Sequence, residues 1–320
     1  MPMPHAGLGE ELVSRGYIVQ HLSVGSGYTQ YLSEEGAVAL TKSKFYEYPF
    51  IPRITKIISQ DKELSYAFAS ELGVTVPKTL RTTDLDTASS FLAMHKRVIV
   101  KPSDLGGGQG LSLNITTPAH LQDALLLATF NDNAPLIQEQ FMGEEVRFTV
   151  IGGTVRSAIL RRTPRVVGNG IKTVAELIAD ENTARKALIF PLLTYPQLTA
   201  DIIPEHFLTD TRVLGESEVL ELNTSTMIRN GASFYGIINS IHPSYIAIAE
   251  KLAQRLNPSF LVVDLMMNQW QSPADPGNYV FIEFNTAPAL AVYSAIRDGD
   301  KPDVIAAIAD MLEAHLKLLK

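Results

Sequence analysis

Residues 98–114, Val-Ile-Val-Lys-Pro-Ser-Asp-Leu-Gly-Gly-Gly-Gln-Gly-Leu-Ser-Leu-Asn, carry an apolar strand into a lysine and a glycine-rich turn and then begin another strand. Glycine has no Cβ and adopts positive φ readily, so successive N–H groups in such a turn can converge on an anion while Lys101 supplies countercharge. The pattern therefore reads as a grip on polyphosphate between two strands, with a nucleotide triphosphate as the expected ligand. A Walker loop needs Lys-Ser/Thr directly after its last glycine, and a dinucleotide fingerprint needs a helix there. Here Gly110 is followed by Leu111-Ser-Leu-Asn-Ile115, which alternates with the period of a strand. Taken alone, the same stretch is also compatible with a glycine-rich hairpin carrying a solvated lysine.

Two downstream segments narrow the reading. Phe260-Leu-Val-Val-Asp-Leu-Met and Tyr279-Val-Phe-Ile-Glu-Phe-Asn place Asp264, Glu283 and Asn285 within hydrophobic strands. A buried carboxylate needs compensation, and the divalent cations that bridge nucleotide phosphates take hard oxygen ligands. Asp264, Glu283 and Asn285 thus form a candidate magnesium set. Residues i and i+2 of a strand share a face, so Glu283 and Asn285 can both reach metal. The alternative for Glu-x-Asn alone is an edge strand with a solvated polar face.

Between these landmarks the chain is punctuated by clear start and stop signals. Short alternating pieces near Tyr17–Ser23 and Ala37–Thr41, with Pro49 and Pro52, suggest a small leading region, residues 1–60. Asp61 opens a helix with Leu64, Phe68 and Leu72 on one side, closed by Gly73 and Pro77. Residues 78–140 read as strand, helix, strand, turn, strand, helix, strand, which together with Asp61 delimits a small unit over residues 61–141. From Glu145, two strands meet across Gly152-Gly153, a hairpin signal that starts an antiparallel sheet in residues 142–320. Thr173-Val-Ala-Glu176 is a capping-box pattern, residues 189–217 are irregular and proline-marked, and Val304, Ile308, Met311, Leu312, His315 and Leu319 form a helical core stripe. His242, alone before Pro243, reads as structural.

Taken in order, these residues resemble the ATP-grasp superfamily over roughly residues 55 to 300. The segment from Arg161 to Ile178, Arg-Arg-Thr-Pro-Arg-Val-Val-Gly-Asn-Gly followed by Ile-Lys-Thr-Val-Ala-Glu-Leu-Ile, is similar to one shared by the ATP-grasp region of cyanophycin synthetase and the glutathione-synthetase half of bifunctional glutathione enzymes. The resemblance implies an α/β (α+β) fold in which two subdomains grip ATP between antiparallel sheets, preceded by a short N-terminal region. It assigns Lys62, Lys101 and the turn Gly106, Gly107, Gly108 and Gly110 to the phosphates. Gln138, Glu139, Gln140 and Phe141 become the adenine hinge and Glu145 the ribose ligand. Gln138 stands where this subgroup more often has Glu, and its amide oxygen can still accept a hydrogen bond. Gln109 departs from the commoner Gly-x-Gly-Arg-Gly turn. The implied cofactors are ATP and Mg2+, two ions with Mn2+ able to substitute.

The activity implied is an ATP-dependent carboxylate–amine ligase that works through an acyl phosphate on amino acids or small peptides. Arginine's planar fork suits carboxylate and phosphoryl oxygens, making Arg161, Arg162, Arg165, Arg229 and Arg297 candidates. Arg162 and Arg229 lie in the stretches most similar to substrate-facing segments and are assigned catalytic roles. An enzyme extending a polymer or protein carboxylate, and an ATP-binding protein without turnover, remain as alternatives.

Composition sets outer limits. Hydrophobic residues make up 46% and charged residues 19%, with a net charge of −7, so there is no basic footprint for nucleic acid. Cysteine is absent, which removes disulfides, thiolate metal sites and a cysteine nucleophile. The N-terminus lacks a long apolar h-region, and no run reaches the ~18 apolar residues of a membrane span. A cytoplasmic enzyme with no membrane partner is expected; homo-oligomerisation is left open.

Overall fold

The computed structural model describes residues 6–22, 28–34, 36–42, 45–102, 110–129, 133–190 and 193–318. The chain begins with α1 (Ala6–Ser14), a four-stranded antiparallel sheet in the order β1 (Ile18–His21), β2 (Tyr28–Ser33), β3 (Gly36–Lys42), β4 (Phe45–Glu47), and then α2 (Arg53–Gln60). Two of these strands, β2 and β4, escaped the sequence reading because neither shows the apolar alternation that marks a half-buried strand.

Asp61 caps α3 (Lys62–Glu71), its side chain accepting from the N–H groups of Glu63 and Leu64. The buried face of α3 is Ser65, Tyr66 and Ala69, whereas Leu64, expected inside, is exposed. The cause is the partner surface: Tyr66 packs edge-on against Phe281 and Phe68 against Phe284, which turns Leu64 outward. β5 (Thr79–Arg81), α4 (Leu85–His95), β6 (Val98–Lys101), β7 (Ser112–Ile115), α5 (Pro118–Ala128) and β8 (Leu136–Glu139) follow in the expected order. Their strands form an antiparallel sheet ordered β5-β8-β6-β7, with α4 and α5 sharing its core through Leu92, Leu121 and Leu125. Gly106, Gly107 and Gly108 lie outside the described residues; Gly110 has φ +64°, a conformation that favours glycine.

A larger sheet starts at β9 (Glu144–Ile151) and β10 (Thr154–Arg162), joined at Gly152 and Gly153 with φ of +61° and +77°. Positive φ at both positions matches the twist of a tight hairpin. An excursion then carries β11 (Arg165–Val167), α6 (Val174–Ala187), a 3-10 turn (Glu205–Thr209) and β12 (Val219–Glu221) around a separate apolar cluster that includes Val166, Leu177, Leu198 and Leu214. Thr173 and Glu176 complete the capping box on α6. A second 3-10 turn (Ile228–Asn230) leads to β13 (Ser233–Gly236), α7 (Pro243–Leu256), β14 (Phe260–Met267), β15 (Tyr279–Asn285), α8 (Ala291–Ser294), β16 (Asp298–Gly299) and α9 (Val304–Leu318). His242 is the N-cap of α7, its Nδ1 taking the Ser244 N–H at 3.2 Å.

The strand order is β15-β14-β9-β10-β13-β16, antiparallel except for the last pair. Because side chains alternate across a strand, the sheet has two distinct faces. One buries Val146, Phe148, Leu261, Val263 and Leu265 against α7 and α3. The other buries Ile151, Ile159, Phe260 and Val262 against the N-terminal sheet and α9. Beyond that apolar half, the second face becomes polar.

Candidate active site

In the small sheet, β6 is wholly buried and delivers Lys101 at its end. The ammonium donates to Gln138 Oε1 at 2.6 Å and to the Tyr66 hydroxyl at 2.9 Å, and Tyr66 in turn donates to Gln138 Oε1 at 2.8 Å. Among the described residues no carboxylate bonds to it. Burial, aided by the like charge of Lys62 and opposed by Glu283, brings the Lys101 ammonium down to about 7. Lys62 and Glu283 are therefore within electrostatic reach of Lys101, although they come from different parts of the chain.

The hinge side chains are engaged locally. Gln138 Oε1, read as an adenine acceptor, holds Lys101 and Tyr66 instead. Glu139 accepts from the Lys78 N–H at 2.8 Å and lies 3.2 Å from His95 Nδ1. Gln140 accepts from the Asn114 N–H at 2.7 Å, and Phe141 is half-buried.

On the polar face of the large sheet, cross-strand register builds a row of charge. Asp264 stands opposite Arg147 on one side and Glu283 on the other. Arg147 donates in a bidentate fashion, Nε to Oδ1 at 2.9 Å and Nη2 to Oδ2 at 2.6 Å. Burial opposes the Arg147 charge, but Asp264 outweighs it and raises the guanidinium pKa. Glu283 forms no hydrogen bond or ion pair among the described residues. Burial, and after it the negative charge of Asp264, raises its carboxyl pKa. The register of β14 and β15 shifts between Asp264 and Leu265. That irregularity lets Phe281 and Phe284 face α3 and α7 while Glu283 and Asn285 face the polar side.

The same alternation separates two neighbouring arginines. Arg161 pairs with Glu145 and lies over Phe234, on the carboxylate face. Arg162 pairs with Glu144 at 2.8 Å and lies over Tyr235, on the opposite face, where Arg165 and Trp270 also bond Glu144. Arg162, expected to be catalytic, therefore lies on the face opposite Arg147, Asp264 and Glu283, whereas Arg161 shares their face, because a one-residue step along a strand reverses direction. Glu145 is held at both oxygens, by Arg161 and by the Thr226 hydroxyl, so a ribose contact would require exchange of one bond. Arg229 is exposed on the 3-10 turn just after Thr226. Arg147, Tyr66 and Thr226 were not anticipated. A signal existed for Arg147: it is a cation amid the apolar residues of β9, and β14 carries a lone carboxylate, Asp264, amid its own.

No protein-family model matches the chain. Among curated proteins it is similar to the glutathione biosynthesis bifunctional protein of Clostridium perfringens, 27% identical over 271 residues, 81% of this chain and 34% of that protein. It matches the Mannheimia succiniciproducens counterpart at 26% over 257 residues, 75% of this chain and 33% of that protein. Cyanophycin synthetase of Synechocystis is 24% identical over 265 residues, 79% of this chain and 30% of that protein. The chain thus spans about a third of the length of these relatives. A bifunctional glutathione synthetase from Pasteurella multocida superimposes with TM-score 0.67 and 20% identity, covering 98% of this chain and 44% of that one. The D-alanine–D-alanine ligase of Bacillus anthracis does so with TM-score 0.51 and 14% identity, covering 83% and 71%. The fold is ATP-grasp. In this chain the small sheet carries Lys101 and the polar face of the large sheet carries Asp264 and Glu283. No helix among the described residues is long and apolar enough to cross a membrane.

The acidic pair fits a metal of limited protein ligation. Among the described residues no cluster of three or more His, Asp or Glu side chains forms a centre alone. Magnesium is commonly held by one or two carboxylates plus substrate phosphates and water. Burial and the charge of Asp264 disfavour the ionised form of Glu283, a penalty that a hard cation would relieve, and Asn285 adds an amide oxygen whose other contact is the Ala287 N–H at 2.9 Å.

Proposed function

We propose that the chain is an ATP-dependent ligase that joins a carboxylate to an amine through an acyl phosphate, acting on amino-acid or small-peptide substrates. The observation that carries this reading is the convergence of Lys62 and Lys101 with the Glu283–Asp264–Arg147 row between two antiparallel sheets. Lys62, Lys101 and the glycine turn 106–110 serve the phosphates. The backbone of residues 138–141 serves adenine, and Asp264, Glu283 and Asn285 hold magnesium, two ions with Mn2+ able to substitute. Magnesium held there would offset the charge of the phosphates.

The lysines and Arg147 keep positive charge around the γ-phosphate while a substrate carboxylate oxygen attacks phosphorus and ADP leaves. Amine attack on the acyl carbon then expels phosphate, and an amide remains. Arg161 and Arg229 are the arginines best placed to orient the carboxylate. The 189–217 stretch has the role of excluding water, since hydrolysis of the acyl phosphate would waste ATP. An ADP-release screen over paired carboxylates and amines, with mass detection, tests the reading. Amide product with stoichiometric ADP supports it, and nucleotide binding without any product across the panel opposes it. A primer requirement would move the substrate to a polymer or protein end.

A further inference from the structure

The strand bearing Glu283 and Asn285 is the last of the six-stranded sheet; it pairs with β14, with a register shift beside Glu283, and on its outer side donates the Phe281 N–H to the Thr75 carbonyl at 2.8 Å. Beyond Phe281 that outer side has no strand partner among the described residues, so the ladder supports Glu283 and Asn285 from the β14 side. The chain after Asn285 nevertheless turns back over the sheet. Tyr293, on α8, is buried and shares a 2.7 Å hydrogen bond with the Thr149 hydroxyl on β9. Thr149 is two residues from Arg147 on the same face and stands opposite Val262, so this bond crosses over β14. The result is a closed circuit of contacts: Glu283 in register with Asp264, Asp264 clamped by Arg147, Arg147 sharing a strand with Thr149, and Thr149 bonded to the segment that follows Glu283.

Tyr293 is sealed from the other side. Tyr48, just beyond β4, is buried within electrostatic reach of Tyr293 and packs on Phe260 at the start of β14 with ring centroids 5.3 Å apart. A phenol in this wall stays neutral: burial lifts the Tyr293 hydroxyl to about 12. Its bond to Thr149 is therefore a fixed strut between uncharged groups.

We infer that Tyr293 is a positioning residue for the metal carboxylates, bracing the edge strand so that Glu283 and Asn285 keep their spacing from Asp264. This rests on the ligase reading above, since the carboxylates need fixed spacing only if they share cations with a nucleotide. The N-terminal region then contributes to metal-dependent nucleotide binding by walling in the brace. The test is calorimetry of the nonhydrolysable analogue AMPPNP across a Mg2+ titration, in wild type, Tyr293→Phe and Thr149→Val. Each variant deletes one oxygen and keeps the shape of the wall. The Mg2+ concentration giving half-maximal AMPPNP binding should rise about fivefold or more in both, with metal-free AMPPNP binding within about twofold of wild type, a split that general loosening of the fold would not produce. Folded variants with wild-type Mg2+ dependence would overturn the brace and leave the ligase reading intact. Wild-type protein that shows no Mg2+-dependent AMPPNP binding would overturn both.

Discussion

Replacing Lys101 with methionine should make the protein more stable and a worse nucleotide binder. The ammonium is buried, has two neutral acceptors among the described residues, and sits near Lys62. A fall from the ordinary 10.5 to about 7 corresponds to roughly 5 kcal/mol that the folded state loses by holding the charged form. Methionine fills the stem of the lysine but gives up its hydrogen bonds, so a net gain of about 2–5 kcal/mol is expected below the folded pKa. The sign follows from proton counting. Between about 7 and 10.5 the unfolded lysine binds its proton and the folded one does not, so wild-type stability rises with pH across that window while the variant lacks this slope. Urea unfolding at about pH 6, 8 and 10 should therefore show a variant advantage that shrinks as pH rises. A phosphate nearby reverses the preference of Lys101. AMPPNP binding to wild type at about pH 8 should take up close to one proton, read from calorimetry in buffers of different ionisation enthalpy, and the variant should bind roughly 10–100-fold more weakly without that uptake. A stability difference independent of pH, together with no proton uptake, would refute the reasoning.

Other substitutions separate structural from ligand roles. Glu283→Gln should abolish Mg2+-dependent ADP formation with melting temperature preserved, because burial disfavours the Glu283 charge and an amide keeps its shape. Asp264→Asn should abolish it too but cost about 3–5 kcal/mol in chemical unfolding, since Arg147 would be left buried without its counter-ion. Arg161→Ala should weaken AMPPNP or substrate binding about tenfold or more, whereas Arg162→Ala, on the other face, should leave AMPPNP affinity within about twofold; the reverse order would undo the facial assignment. Tyr48→Phe removes a buried hydroxyl with no partner among the described residues and should raise stability by up to about 1 kcal/mol, seen as a higher melting temperature.

Much of the frame was legible because local rules and tertiary packing agreed. Asp61 caps its helix, Thr173 and Glu176 form their box, and Gly152-Gly153 turns the hairpin, each a signal that depends on a few adjacent residues. Glu283 and Asn285 share a face as period two requires, and Lys101 ends a buried strand. What escaped depends on contacts between distant segments. Leu64 points outward because Tyr66 and Phe68 found Phe281 and Phe284. Arg161 and Arg162 differ by one residue, and only the register against Glu145 and Glu144 says which faces the carboxylates. The Arg147–Asp264 pair joins positions 117 residues apart, so neither residue's neighbours announce it.

The most direct test of an acyl-phosphate ligase omits the amine. The protein is incubated with ATP, Mg2+, hydroxylamine and a panel of amino-acid and peptide carboxylates. The expected result is a hydroxamate of one carboxylate class formed in step with ADP and phosphate, because in the proposed site the lysines and acidic residues would surround a γ-phosphoryl group. Product accompanied by stoichiometric AMP and pyrophosphate would contradict it.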